Sequence, residues 1–272
     1  MAEATAAATT PQVSRTRPSW LVVASQELRD LWLSGKGLTL LLAYTVLLSI
    51  STYLIATNQE LNFLEQREAV SLTLQLAVVV GALLVVLAAA DAVSGERERG
   101  TLESLLLTAA PRRSLLAGKG LAALSLWFGA LVVSIPYIWW IGRDVGTFGK
   151  ALVGGFLVGT LLALFVAGIG LLVTTFSQSN GVSLAISFVV LLALLAPSRL
   201  PTEASRGWAG ELLQRLDPFS AGLLYLERLI INAHSLAQDL DLLVAPAVLA
   251  LASPALALLL GGRLTLLPRS RP

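Results

Sequence analysis

Six stretches of the chain are apolar almost without interruption: Leu38–Thr57, Ala69–Val93, Leu115–Trp140, Leu152–Phe176, Gly181–Pro197 and Leu240–Leu260. A helix needs about 20 such residues to cross the hydrocarbon core of a bilayer. The runs lack the period-two alternation of barrel strands, so they predict helices. The fifth run is short and begins almost where the fourth ends. Phe176-Ser-Gln-Ser-Asn-Gly181 is therefore expected to be a tight turn on one membrane face. Pro136, Pro246 and Pro254 are expected to bend the third and sixth spans.

The segments between these runs carry patterns of their own. Trp20, Val23, Ala24, Glu27, Leu28, Leu31 and Trp32 recur at helical spacing, with Arg29 and Asp30 elsewhere on the circumference. Ser19–Ser34 thus predicts an amphipathic helix that lies on the inner leaflet or packs on other protein. In the fifth loop, Ser198–Asp239, two short helices are expected over Ser205–Leu216 and Ala221–Asn232, broken at Asp217-Pro218. They are placed on the outer face, where Leu223, Leu224, Leu226, Leu229, Ile230 and Ile231 give reason to dip into the membrane. The expected fold is an all-α polytopic membrane protein with six transmembrane helices. Residues 1–18 are expected to be a disordered tail without a cleavable signal peptide, and residues 19–272 one transmembrane domain.

Composition agrees with the pattern. Hydrophobic residues make up 56% of the 272 and charged residues 13%, with a mean hydropathy of +0.77. That excludes an ordinary soluble enzyme, a disordered chain and a disulfide scaffold. Charge sets the orientation through the positive-inside rule. Basic residues gather before span one (Arg15, Arg17, Arg29, Lys36), between spans two and three (Arg97, Arg99, Arg112, Arg113) and in the tail (Arg263, Arg269, Arg271). The first loop sets Arg67 against Glu60, Glu65 and Glu68. Both termini and the second loop are therefore expected in the cytoplasm. Arg143 and Lys150 in the third loop, and four Arg in the fifth, run against this asymmetry. A net charge of +2 is too small to point to nucleic acid.

The inventory of catalytic groups is nearly empty. There is no Cys, and the single histidine, His234, reads as structural. Gly118-Lys119 resembles the end of a P-loop, but Gly120 stands where Ser or Thr should hold Mg²⁺. Leu33-Ser34-Gly35 is read as a helix stop. No catalytic, cofactor or metal site is expected, and the chain is not expected to be an enzyme. Gly155-Phe-Leu-Val-Gly159 is a GxxxG match, read as packing within the chain.

The second loop carries the most information. It runs Ser94-Gly-Glu-Arg-Glu-Arg-Gly-Thr-Leu-Glu-Ser-Leu-Leu-Leu-Thr-Ala-Ala-Pro-Arg-Arg113, too charged to span and too long for a simple turn. Leu102, Leu105 and Leu106 make an apolar stripe, with Glu96, Arg97, Glu98, Arg99 and Glu103 around its start. This predicts an amphipathic surface helix over Glu96–Thr108, roughly 18 Å long. Its three Glu are unfavourable beside an anionic leaflet and suit a basic groove in another protein.

This segment, with Pro111-Arg-Arg-Ser114 and Gly118-Lys119, resembles the E-R-E-x-G-T-L-E-x-L-L … P-x-x-R … G-K pattern of type 2 ABC exporter permeases. The sequence departs from that pattern in an extra Ala within Thr108-Ala-Ala-Pro111 and in Arg113, which lies closer to the proline. Asp217-Pro218-Phe219 is similar to the S-P-[FW] of gliding-motility-type members. Copper-site-assembly and drug-efflux permeases share the architecture. The resemblance implies that residues 96–108 are a coupling helix seated in a cleft of a separate ATPase. Glu96, Glu98, Gly100, Thr101 and Glu103 would contact it, with Arg97 and Arg99 beside them and Leu102, Leu105 and Leu106 packed beneath. The N-terminal helix, with Trp20, Glu27, Leu28, Leu31 and Trp32, would be the elbow helix.

The same resemblance implies an assembly of two permeases, identical or homologous, with two ATPase subunits that bind the ATP and Mg²⁺, in a prokaryotic plasma membrane. The substrate pathway would run between the permeases. Two other readings remain: a mechanotransmitter or assembly factor without a pore, and an ATP-independent carrier or scaffold. Tyr44, Tyr53, Trp127 and many Leu and Val within the spans favour a lipidic or amphipathic substrate over an ion or a bare sugar.

Overall fold

A computed structural model describes residues 19–57, 63–101, 111–199, 210 and 215–261. The helices are α1 (Ser19–Leu33), α2 (Lys36–Ala56), α3 (Phe63–Arg99), α4 (Arg112–Gly142), α5 (Phe148–Phe176), α6 (Asn180–Leu195), α7 (Pro218–Ile230) and α8 (Val244–Leu260). Short 3-10 turns lie at Arg143–Val145, Pro197–Arg199 and Leu240–Leu243. Among the described residues there is no strand. Five segments are long and apolar enough to cross a membrane: α2, α3 from Gln66, α4 extended to Val145, α5, and Leu240–Leu260. α6 is a shorter apolar helix. The protein is an all-α, multi-pass membrane protein.

The elements pack in a recognisable order. α3 and α5 are the central pair, with α4 and α6 on α3, α8 on α5 and α1 on α4. α2 touches only α1, α3 and α4 to any extent, and it leaves Leu38, Leu42, Leu47, Ile50, Tyr53 and Leu54 exposed. In a bilayer such a face is solvated by acyl chains. Val23 and Ala24 of α1 lie against the start of α4 at Gly118, and Gly261 lies against Leu116. The two extremities of the described chain therefore share one end of the bundle, here called the α1 end.

The core is closed by one large side chain between small ones. Trp127 of α4 is 2% exposed and donates from Nε1 to Thr160 Oγ1 at 3.1 Å. A Cβ on Gly81 would stand 2.8 Å from its ring, and one on Gly159 would stand 2.1 Å from it. Gly155 meets Leu74 in the same way, so both glycines of the GxxxG match face side chains of their own chain.

Three expectations change against the structure. The second span does not stop at Val93, because no residue from Ser94 to Arg99 breaks the helix, and α3 continues through them. Pro246 lies in the first turn of α8, where a missing N–H costs nothing; Pro136 and Pro254 are the prolines inside helices. The expected Ala221–Asn232 helix is α7, begun three residues earlier because Asp217 caps it, accepting from Ser220 N at 2.7 Å. α7 packs inward on the bundle. Its Gly222 packs on Val158 and Leu162, half-way along α5, and Phe219, Leu226 and Ile230 are fully buried. Residues 1–18 and most of Ser205–Leu216 lie outside the described residues.

Candidate functional site: a charged hub at the α1 end

α3 ends in a defined cap. Gly100 has φ +74, a left-handed conformation that glycine adopts without steric cost. Its N–H donates to Arg97 O at 3.2 Å, and Thr101 N–H donates to Glu96 O at 3.0 Å. These are the two bonds of a Schellman motif. The residues Glu96, Arg97, Glu98 and Arg99 are therefore the last turn of the second span rather than the start of a separate coupling helix. Gly100 and Thr101 are its cap. Leu102, Glu103, Leu105 and Leu106 lie outside the described residues.

Each charged residue of that turn has a distinct destination. Glu96 turns inward, where its Oε1 meets Lys119 Nζ of α4 at 2.5 Å. The same Nζ meets Glu27 Oε1 of α1 at 2.6 Å. The Lys119 side chain is only 2% exposed. Arg97 donates from Nη1 to Ser177 O in the turn between α5 and α6. Glu98 accepts from Asn180 N at 3.2 Å. A carboxylate is unfavourable at the C-terminus of its own helix, but Glu98 reaches the N-terminus of α6, where it is favourable. Arg99 is exposed and lines a cavity.

One turn earlier, Asp91 continues the network. Its Oδ1 accepts from Asn180 Nδ2 at 2.8 Å, and its Oδ2 lies 3.6 Å from Lys36 Nζ at the start of α2. Ser94 N donates to Thr174 Oγ1 at 2.8 Å, and Ser183 Oγ donates to Ala90 O at 2.8 Å. The last three turns of α3 are thus bonded to α1 through Lys119, to α2, to α4, and to both sides of the α5–α6 turn. Among these groups lies a cavity of about 270 Å³, lined by Glu27, Asp30, Lys36, Asp91, Glu96, Arg99 and Lys119.

α1 meets the hub along one face. Ala24 is buried, and Glu27, Leu28, Leu31 and Trp32 are half-buried against the bundle. Trp32 Nε1 donates to Ser125 Oγ of α4 at 3.0 Å. Trp20 in the first turn stays exposed. The helix therefore packs on its own chain through this face. A Cβ on Gly118 would stand 2.9 Å from Ala24 N, so the glycine lets the α1 backbone approach α4 and brings Glu27 within reach of the next residue, Lys119.

Sequence reasoning passed over Asn180 and read Lys119 only as part of the Gly118-Lys119 motif, not as the centre of the hub. The signal was present in a lone lysine inside an apolar run, since such a charge must find partners. The run gave no indication of which carboxylates those would be.

The opposite end holds a second, smaller polar cluster. Asp239 Oδ2 lies 2.6 Å from His234 Nδ1, and its Oδ1 accepts from Arg228 Nη1 at 2.8 Å. Hydrogen bonds from His234 and Arg228 hold the Asp239 carboxyl below the usual aspartate range. Lys150 at the start of α5 donates to the carbonyls of Ala233 and His234 at 3.1 and 3.0 Å. The cluster fastens the turn after α7 to α5. Among the described residues no group of three His, Cys, Asp or Glu is placed to hold a metal ion.

The sequence that builds these elements matches a known family. The model of the ABC-2 family transporter protein matches residues 21–260. The chain belongs to the ABC-2 transporter family. It is a type 2 ABC permease, the membrane-spanning kind of subunit in that family. The matched span runs from the first turn of α1 to the end of α8, so every element of the hub lies within the family's domain. No curated protein matches the chain.

Proposed function

We propose that this ABC-2 permease is the membrane subunit of an ATP-driven exporter, and that it takes its work from a separate ATPase at the α1 end. What supports this is the hub. The loop that leaves Gly100 begins on a helix end bonded to five other parts of the bundle, so force applied to that loop reaches the spans directly. ATP and Mg²⁺ belong to the ATPase, present in two copies beside two permease chains, identical or homologous. The α1 end faces the cytoplasm of a prokaryotic cell. Closure of the ATPase dimer displaces the permeases as rigid bodies and alternates the pathway between them.

In this reading Gly100, Thr101, Leu102, Glu103, Leu105 and Leu106 form the contact with the ATPase. Glu96, Arg97 and Glu98 act behind them, holding the contact to the bundle. The Trp20 end of α1 meets the ATPase or the lipid headgroups beside it. The first test is purification from mild detergent with mass spectrometry and an ATPase assay. A stoichiometric ATPase partner is expected, and a chain that elutes alone without ATP hydrolysis would overturn the reading. The second test is Glu103→Lys in the assembled complex. ATPase stimulation by the permease is expected to be lost while the chain still folds, and unchanged stimulation would remove the loop from the contact.

A further inference from the structure

Lys119 joins two segments that are far apart in the chain. Glu27 lies before the first span and Glu96 at the end of the second, and both place Oε1 on the same Nζ. A buried ion triad is weak as a source of stability, because desolvation offsets most of the attraction and a well-packed apolar set does as well. What such a triad does supply is a single arrangement, since sliding either carboxylate away leaves the buried ammonium one acceptor short. Here the arrangement is reinforced by shape. Gly118 leaves room for the α1 backbone at Ala24, where any added Cβ would stand 2.9 Å from the Ala24 N and push the two helices apart.

We propose that Lys119 is a positioning residue that locks α1, the last turn of α3 and the start of α4 into one rigid unit. A push delivered at α1 or at the Gly100 cap then reaches the second and third spans together. The Gly118-Lys119 pair, which looks like a stray nucleotide-binding fragment in the sequence, is on this account the docking point of the N-terminal helix. The proposal deepens the ATP-driven reading and rests on it for the source of the push, but the lock itself is testable without nucleotide.

The experiment uses the full chain in nanodiscs, with spin labels at Gln26 and Arg99 to report α1 against α3, and at Gln178 and Arg99 to report the α5–α6 turn against α3. Glu27→Gln removes only the α1 arm and leaves the Lys119–Glu96 pair neutral as a whole. The expected result is loss of the single narrow Gln26–Arg99 distance, with the Gln178–Arg99 distance unchanged. General loosening of the fold would broaden both. The triple variant Glu27→Gln, Glu96→Gln, Lys119→Met removes every charge while keeping shape, and it is expected to fold and to lose the same distance. A narrow Gln26–Arg99 distance in Glu27→Gln would overturn the proposal, as would equal broadening of both pairs. With the ATPase bound, the wild-type Gln26–Arg99 distance is expected to stay constant between nucleotide-free and ATP-trapped complexes. A shift there also overturns the lock. If no ATPase binds the unlabelled chain, the functional reading fails and the nucleotide-free distances still judge the lock.

Discussion

Replacing Gly159 by Ala tests how tightly the bundle closes on Trp127. The added Cβ would stand 2.1 Å from Cη2 and Cζ2 of the indole. That is about 1.5 Å inside ordinary carbon–carbon contact. The ring has nowhere to go. Its other side lies against Gly81, its Nε1 is held by Thr160 Oγ1, and the residue is 2% exposed. α3 or α5 must shift, and overpacking of this kind costs about 1–3 kcal/mol. The gain in helix propensity on leaving glycine returns about 1 kcal/mol. Gly149→Ala, on the same helix with nothing within 4 Å of the new Cβ, has the gain without the clash. The two variants should therefore differ by roughly 1–3 kcal/mol, with Gly159→Ala the less stable. Trp127→Phe removes the clashing atoms and loses the bond to Thr160, about 1 kcal/mol. Combined with Gly159→Ala it should show a favourable coupling of about 1–3 kcal/mol. Steric trapping in bicelles measures each unfolding free energy without denaturant. Gly159→Ala as stable as Gly149→Ala, or a cycle additive within about 0.5 kcal/mol, would refute the packing argument.

Lys119→Met alone should destabilise by about 3–5 kcal/mol, because it leaves the Glu27 and Glu96 carboxylates facing each other without a cation. A variant as stable as wild type in the same trapping assay would mean the two carboxylates are solvated. Glu98→Ala should cost about 0.5–1 kcal/mol by removing a charge from the N-terminus of α6, and the loss should shrink in high salt. Gly100→Ala meets no neighbour within 4 Å, so its cost comes from the positive φ alone, about 1–2 kcal/mol, and amide exchange should rise locally at the end of α3. For Asp239 the sign follows from its depressed pKa: its contribution is present above the ordinary aspartate range and is lost as pH falls through the lowered value. Asp239→Asn should therefore lower the melting temperature at about pH 7, and the gap to wild type should narrow as pH falls below the ordinary aspartate range. A gap that does not narrow with falling pH would assign the effect to packing.

The spans were legible because each depends on a local property, a run of apolar residues long enough to cross hydrocarbon. Lys36–Ala56 and Phe148–Phe176 lie within four residues of the expected bounds. The end of α3 was misread for a physical reason. Charge was taken as the end of the span, whereas Glu96 and Arg97 remain helical because tertiary partners, Lys119 and Ser177 O, receive them. α7 was found, but its apolar face was matched to lipid when it meets α5. The hub itself lay beyond reach of the sequence. Its ion pairs join positions 23 to 92 residues apart, and no periodicity encodes which carboxylate a buried lysine meets.

α3 has 37 residues, about 55 Å of continuous helix against a hydrocarbon core of about 30 Å. Unlike α4 and α8 it contains no proline. It behaves as a beam rather than a chain of joints. A tilt of about 10° around its middle carries each tip roughly 5 Å in opposite directions. The tip at Gly100 and the rim near Phe63 are the two arms of one lever. On the proposed function, whatever displaces the first moves the second by a comparable amount, and the helix needs no hinge of its own to carry that motion.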